Sequence, residues 1–293
     1  MTITTVHRVS TSQPVVSITF DDGPHPDYTP KALAIMDKYK MKGTWFIVGE
    51  LAAKAPRLLA SIKEHGHDVA THSYKHIFLT NLDYNGVVGQ LSQTKQVIQK
   101  QTGKFWPLIR PPYGAFNAAV LRAAEAQGHK WNVLWSVDPR DWESPTNNII
   151  SDVIAVLAPG AIILLHEATP RTTEALPSIF QEMKKRGLRS VPLSQLLAGQ
   201  PALPSVSVCR TLVTTSPNMY GEDIEAVQLA LISRGFDPGM VDSLYGSATA
   251  QAVSKFQASK GMTPTGTVDS ATYKALGVRC AKTPAGVPPS RPR

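Results

Sequence analysis

No apolar run in the sequence approaches the roughly 18 residues of a membrane-spanning helix, which excludes a helical membrane protein. Cysteine is close to absent, with 2 in 293 residues, so the fold is not built on disulfides. Charge is sparse at 18 % of residues, and 30 Lys+Arg exceed 22 Asp+Glu by +8 without forming a basic block. That distribution suits anionic surfaces in general and makes no case for nucleic acid. The 23 prolines and 20 glycines are scattered, which excludes a wholly disordered polymer. The opening MTITTVHRVSTSQ lacks the basic start and apolar core of a secretory signal. An intracellular protein and one whose leader has been removed both fit that beginning. What the sequence does have is 42 % hydrophobic residues, over a length sufficient for one large domain or two unequal ones.

From residue 14 to about 200 short apolar runs alternate with amphipathic ones. Strands are expected at 15–20, 44–48, 67–70, 108–110, 131–137 and 161–165, and helices at 30–40, 50–65, 82–101, 118–127, 147–157 and 173–186. Strands apolar almost throughout, each followed by a helix, predict a parallel sheet covered by helices. About six or seven such units fit an incomplete barrel better than a sandwich, and an open doubly wound sheet stays possible on pattern alone. The Pro-, Ser- and Thr-rich stretch 201–216 reads as a linker. A compact block at 217–277 follows, with three helix-like segments. In two of them Asp242-Ser243 and Asp269-Ser270 stand as N-cap signals. The Pro-rich, basic 278–293 reads as a tail.

Polar residues collect where these strands end, the place α/β barrels reserve for catalysis. The first strand runs into Asp21-Asp22-Gly23-Pro24. Adjacent carboxylates repel unless a cation lies beside them, and a metal ion would leave one of them free as a base. Asp-Gly-Pro is also ordinary turn chemistry, and alone it favours the turn. His72 and His76, four apart, would share one face of a helical turn and reach a single ion. With Asp22 they would make a facial set with open positions. His65, His67 and His129 lie where strands begin and read as structural. In Arg110-Pro111-Pro112-Tyr113-Gly114 two prolines stiffen the backbone that aims Arg110 and the Tyr113 amide, although alone the segment reads as a surface loop. Asp138 to Trp142 and His166-Glu167 close two further strands, and a half-buried His166 is a group whose pKa a neighbouring carboxylate sets. Each cluster is weak alone, but five stand at successive strand ends.

Those residues resemble the polysaccharide deacetylases of carbohydrate esterase family 4, which act on chitin and peptidoglycan. The resemblance covers roughly 14–200 and rests on TFDDGP at 19–24, HSYKH at 72–76, RPPYG at 110–114, DPRDW at 138–142 and LLH at 164–166, in the family's order. Ile77, where many members have proline, is a small departure. The resemblance implies an α/β fold, a distorted (β/α) barrel with fewer than eight full units. It implies Asp22, His72 and His76 as ligands of one divalent metal, zinc first, with cobalt or manganese as alternatives. Asp21 is then the general base oriented by Arg110, and His166 is the general acid tuned by Asp141. The Tyr113 amide serves the oxyanion, while Tyr113, Trp142 and Leu164 contact the substrate.

The block at 217–277 resembles the three-helix peptidoglycan-binding domain, on Gly221 to Ile224, Val227-Gln228, VDSLYG at 241–246, Phe256-Gln257 and Thr265-Gly266, with Ser243 where glycine is usual. Cys209 and Cys280 bracket it. Paired, they would add about 4 kcal/mol in the chain-entropy picture and place the protein in an oxidising compartment; unpaired, they are two unrelated thiols. Together these readings imply a secreted, periplasmic or wall-associated monomer that releases acetate from N-acetylglucosamine residues of peptidoglycan, with chitin or chitooligosaccharide as the alternative substrate. A wall-binding protein with an inactive deacetylase domain and an amidase acting on a small non-sugar compound are the competing readings.

Overall fold

The computed structural model describes residues 3–167, 169–198, 206 and 209–280. The expected tail from 281 onward and most of the expected linker before Cys209 lie outside the described residues. The chain divides into two compact units, the larger holding residues 3–114 and 122–201.

An alternation of strand and helix runs through residues 4–196. β1 (Thr4–Val6) and β2 (Val15–Gly23) precede α1 (Tyr28–Tyr39), and β3 (Gly43–Ile47) precedes α2 (Gly49–Lys54) and α3 (Pro56–Glu64). Next come β4 (Asp68–Thr71), α4 (Tyr84–Thr102), β5 (Leu108–Ile109), α5 (Ala118–Ala126), β6 (Trp131–Val133) and α6 (Thr146–Val156). β7 (Ile162–His166), α7 (Pro170–Lys185), β8 (Arg189–Ser190) and α8 (Leu193–Leu196) complete it. Pro56 starts a new helix where one helix was expected over 50–65, because its ring cannot continue a preceding turn.

The strands pair in the order β1-β6-β5-β4-β3-β2-β7, all parallel, with β8 attached to β2. From β2 to β6 spatial order follows chain order, as in a barrel; a doubly wound sheet would reverse at a switch point. β6 stops at Val133 rather than 137. Beyond it, Ser136 N donates to Ile162 O at 2.7 Å and Leu164 N to Val137 O at 3.2 Å, joining the two ends of the sheet irregularly.

Register decides which side chains meet. Thr19 lies beside Leu164 and Asp21 beside His166 across β2 and β7. Side chains alternate along a strand, so Ser17, Thr19 and Asp21 share one face and Val16, Ile18 and Phe20 the other. The second set joins the main apolar core with Trp45, Phe46 and Phe180. The first set is turned toward the chemistry.

The smaller unit packs α9 (Glu222–Ile232), α10 (Ser247–Ser259) and α11 (Ser270–Leu276) around Ile224, Val227, Tyr245, Val253 and Phe256. Two buried glutamines build its turns on one plan. Gln228 Nε2 donates to Asp242 Oδ1 (3.0 Å) and Thr249 Oγ1 (3.1 Å); Gln257 Nε2 donates to Thr267 O (2.8 Å) and Thr272 Oγ1 (3.1 Å). Asp269 caps α11 as expected, accepting from Thr272 N. Asp242 does not cap α10, whose N-cap is Gly246; its carboxylate serves the turn below Gln228 instead.

The expected linker also ends early. Leu212 is fully buried in this core and pairs with Val268, and Arg210 donates to Asp223 at 2.7 and 2.8 Å. Apolar spacing in 209–216 is too sparse to reveal that pairing. Cys209 and Cys280 form a disulfide across 71 residues of sequence. Replacing both by serine should remove about 4 kcal/mol from this unit. Denaturant unfolding of the full chain checks it, and an unshifted transition would show that the helices alone carry the stability.

Candidate active site

Arg110 organises the centre of the site. It follows β5, is wholly buried, and spends every nitrogen: Nε on Val133 O (3.0 Å), Nη2 on Leu134 O (3.1 Å), and Nη1 on Thr19 Oγ1 (2.9 Å) and Asp21 Oδ1 (2.7 Å). A buried guanidinium is tolerated only when its charge and hydrogens are all met, and Asp21 supplies the charge. Read alone, the Arg110 segment looked like a surface loop; the structure puts its cation in the interior. Thr19, which the sequence reading did not single out, also donates to Ile163 O at 2.6 Å and so fixes the Arg110 fork. The polar period-two stripe Ser17, Thr19, Asp21 inside an apolar strand was the signal for it.

Asp22, His72 and His76 form a cluster whose ligand atoms lie within 4.8 Å of one another. The two histidines reach it from a loop rather than from the helical turn expected. Ser73 and His76 adopt φ of 60° and 51°, and Ser73 Oγ accepts from His76 N at 3.0 Å. His72 Nδ1 contacts Arg110 O at 2.6 Å, which fixes that nitrogen as the donor and leaves Nε2 with its lone pair toward Asp22 Oδ1, 3.5 Å away. His76 Nε2 stands 3.0 Å from the same oxygen. Asp22 Oδ1 is buried without a hydrogen bond of its own. Two imidazole nitrogens and an orphaned carboxylate oxygen facing one point fit a divalent cation, and the oriented Nδ1–H is the usual second partner of a metal-binding histidine.

His166 ends β7 beside Asp21. Its Nδ1 lies 2.7 Å from Asp141 Oδ1, and its amide donates to Asp141 Oδ2 at 2.8 Å. Thr169 and Pro170 start α7, which brings Thr172 Oγ1 to the same carboxylate. Burial alone would lower the His166 pKa; the hydrogen bond and charge of Asp141, with the charges of Asp21 and Asp22, raise it to about 9. The Trp142 ring meets His166 edge-on at 4.7 Å and is 43 % exposed. Arg171 Nη1 holds the Trp142 carbonyl at 2.8 Å. Leu164 is buried two register pairs before His166. Tyr113 sits at φ 62°, with its ring 4.8 Å from His76 and stacked on exposed Phe78 at 4.0 Å. His67 and His129 are buried away from this cluster, and burial pushes each down to about 3, so both are neutral.

A barrel-type parallel sheet that gathers a carboxylate–guanidinium pair, a His/His/Asp cluster and a His–Asp pair at its strand ends is the framework of a hydrolase. Residues 8–131 match the polysaccharide deacetylase family, and residues 220–276 match the peptidoglycan binding domain family. The chain belongs to the polysaccharide deacetylases of carbohydrate esterase family 4, enzymes that hydrolyse amides. It is 35 % identical over 197 residues to a peptidoglycan-N-acetylglucosamine deacetylase of Bacillus cereus, covering 65 % of this chain and 91 % of that protein. It is 37 % identical over 205 residues to a chitooligosaccharide deacetylase of Rhizobium leguminosarum bv. phaseoli, covering 68 % and 85 %. A crystal structure of a peptidoglycan N-acetylglucosamine deacetylase is similar with a TM-score of 0.64 at 30 % identity, covering 66 % and 92 % of the two chains. A family 4 pseudoenzyme from Bacillus anthracis is similar with a TM-score of 0.63 at 27 % identity, covering 67 % and 70 %.

Proposed function

We propose that this chain removes the N-acetyl group from N-acetylglucosamine residues of peptidoglycan, with zinc held by Asp22, His72 and His76. The observation that carries the reading is the set of three pairings at neighbouring strand ends: Asp21 on Arg110, Asp22 between two histidines, and His166 on Asp141. Those groups argue against an inactive relative, because base, acid and ligand positions are all filled.

An amide carbonyl is a poor electrophile and its nitrogen a poor leaving group. A divalent metal supplies Lewis-acid polarisation and makes water more acidic. Asp21, oriented by Arg110, accepts the proton of the attacking water. The Tyr113 amide donates to the oxygen that gains charge. His166, kept protonated by Asp141, delivers a proton to the departing nitrogen, and acetate and a free amine result. Trp142 and Leu164 bound the acetyl methyl.

The matched small unit favours peptidoglycan over chitin, as does a net charge of +8 toward an anionic wall. We read residues 1–200 as the catalytic domain and 217–277 as its wall-binding module. The disulfide supports an extracytoplasmic setting. Acetate release from purified sacculi and from chitin oligomers, with and without chelator, tests the proposal. Release from sacculi that chelator abolishes and zinc restores is the expected result; cobalt and manganese complete the series. Preference for the oligomers would move the assignment to chitooligosaccharide, and no release from either would end it.

A further inference from the structure

The reaction outlined above gives no task to Glu167, a buried carboxylate next to its acid. Glu167 follows His166 and is 2 % exposed. Its carboxylate accepts from Trp45 Nε1 at 2.6 Å and from Thr29 Oγ1 at 2.8 Å. Thr29 Oγ1 in turn accepts from His25 N at 2.8 Å. The Glu167 amide donates to Asp21 O at 3.1 Å. The carboxylate also fills the space that Gly23 leaves by having no side chain: a Cβ there would stand 1.9 Å from Glu167 Oε2. Trp45, the strongest of its donors, stacks on Phe20 with centroids 4.5 Å apart.

All of these contacts converge on residues 20–25, the segment that carries Asp21 and Asp22. That segment is not relaxed. Its register against β3 breaks between Phe20 and Gly23, and Asp22 sits at φ 67°, a region sparsely populated by residues other than glycine. Such a backbone persists only where its surroundings over-determine it. Glu167 touches the turn at Asp21 O and at Gly23 and has no other part in the reaction.

We propose that Glu167 is a positioning residue: its carboxylate, held by Trp45 and Thr29, clamps the turn so that Asp22 faces His72 and His76 while Asp21 faces Arg110. The proposal deepens the reading given under Proposed function and rests on it for the kinetic readout only, because the metal cluster can be titrated without turnover.

Glu167→Gln keeps the volume but removes the charge and replaces one acceptor oxygen by a nitrogen that cannot accept from Trp45 Nε1 or Thr29 Oγ1. Outer partners of metal ligands typically matter tenfold to a hundredfold, so zinc affinity by chelator competition should fall about 10–100-fold and kcat by a similar factor, with KM within about twofold. The visible absorption of the cobalt-loaded protein should shift, a change that a purely structural role would not produce. Trp45→Phe removes one donor and keeps the stack on Phe20, so it should shift both readouts the same way by less. The double variant should lose less than the product of the two single losses, because both act through one hydrogen bond. The proposal is overturned if folded Glu167→Gln binds zinc and turns over within about twofold of the parent, or if the two losses multiply independently. Should Glu167→Gln not fold, Trp45→Phe decides by the same two measurements. Parent protein that binds zinc as expected yet releases no acetate would instead overturn the deacetylase reading and leave the Glu167 titration standing.

Discussion

Asp21→Asn should lower turnover by about 10²–10⁴-fold, the usual worth of a positioned general base. The amide has the shape of the carboxylate and can still accept from Arg110 Nη1, so loss of basicity is the main change at the reacting centre. Zinc should stay bound, because Asp22, His72 and His76 are untouched. A second consequence follows from burial. Arg110 is wholly enclosed, and depriving such a cation of its counter-charge costs about 3–5 kcal/mol. The variant should therefore be inactive, metal-replete and lower in Tm. Metal content, Tm and acetate release on one preparation check all three, and a near-parental rate would remove Asp21 from the role of base.

His166→Ala should cost about 10²–10⁴-fold in turnover, again with zinc retained. The pH profile carries the sharper result. A general acid works protonated, so activity should fall as pH rises through the His166 value, near about 9. Asp141→Asn removes the principal raising interaction and should draw that alkaline limb down toward the ordinary histidine value. The sign for stability is the same. Because the folded value is raised above the unfolded one, the His166–Asp141 contribution is full below about 6.5 and is lost as pH climbs to about 9. An alkaline limb that ignores Asp141→Asn would separate the acid from this pair.

Much of the site was readable from residues because its parts are local. The carboxylate pair, the two histidines, the Arg-Pro-Pro-Tyr segment and the last histidine each sit within a few residues of an apolar run, and strand ends are where such residues converge. The conformations between them were not readable. His72 and His76 have the spacing of a helical turn, yet Ser73 and His76 take left-handed backbone that no periodicity announces. Thr19 and Glu167 were hidden for another reason: their partners lie 91 residues away at Arg110 and 122 away at Trp45, and only the fold brings them near. β1 and β8, at three and two residues, are too short to leave a pattern. In the small unit, Leu212 was lost among serines and threonines because one buried residue makes no period.

Among the described residues seven non-glycines have positive φ, and five of them, Asp22, Ser73, His76, Tyr113 and Arg140, lie in the loops of the site. Left-handed backbone costs a non-glycine residue about 1–2 kcal/mol. The other two, Lys40 and Ser243, touch no chemistry; Lys40 closes α1 and Ser243 sits in a turn of the small unit. This sorts the protein's room for improvement by address. Glycine at positions 40 and 243 would relieve strain without touching the reaction, whereas at Asp22 or His76 the same relief would delete a proposed metal ligand. Directed evolution for heat resistance should thus harvest its gains at the periphery, and the strand-end loops should stay as costly as they are.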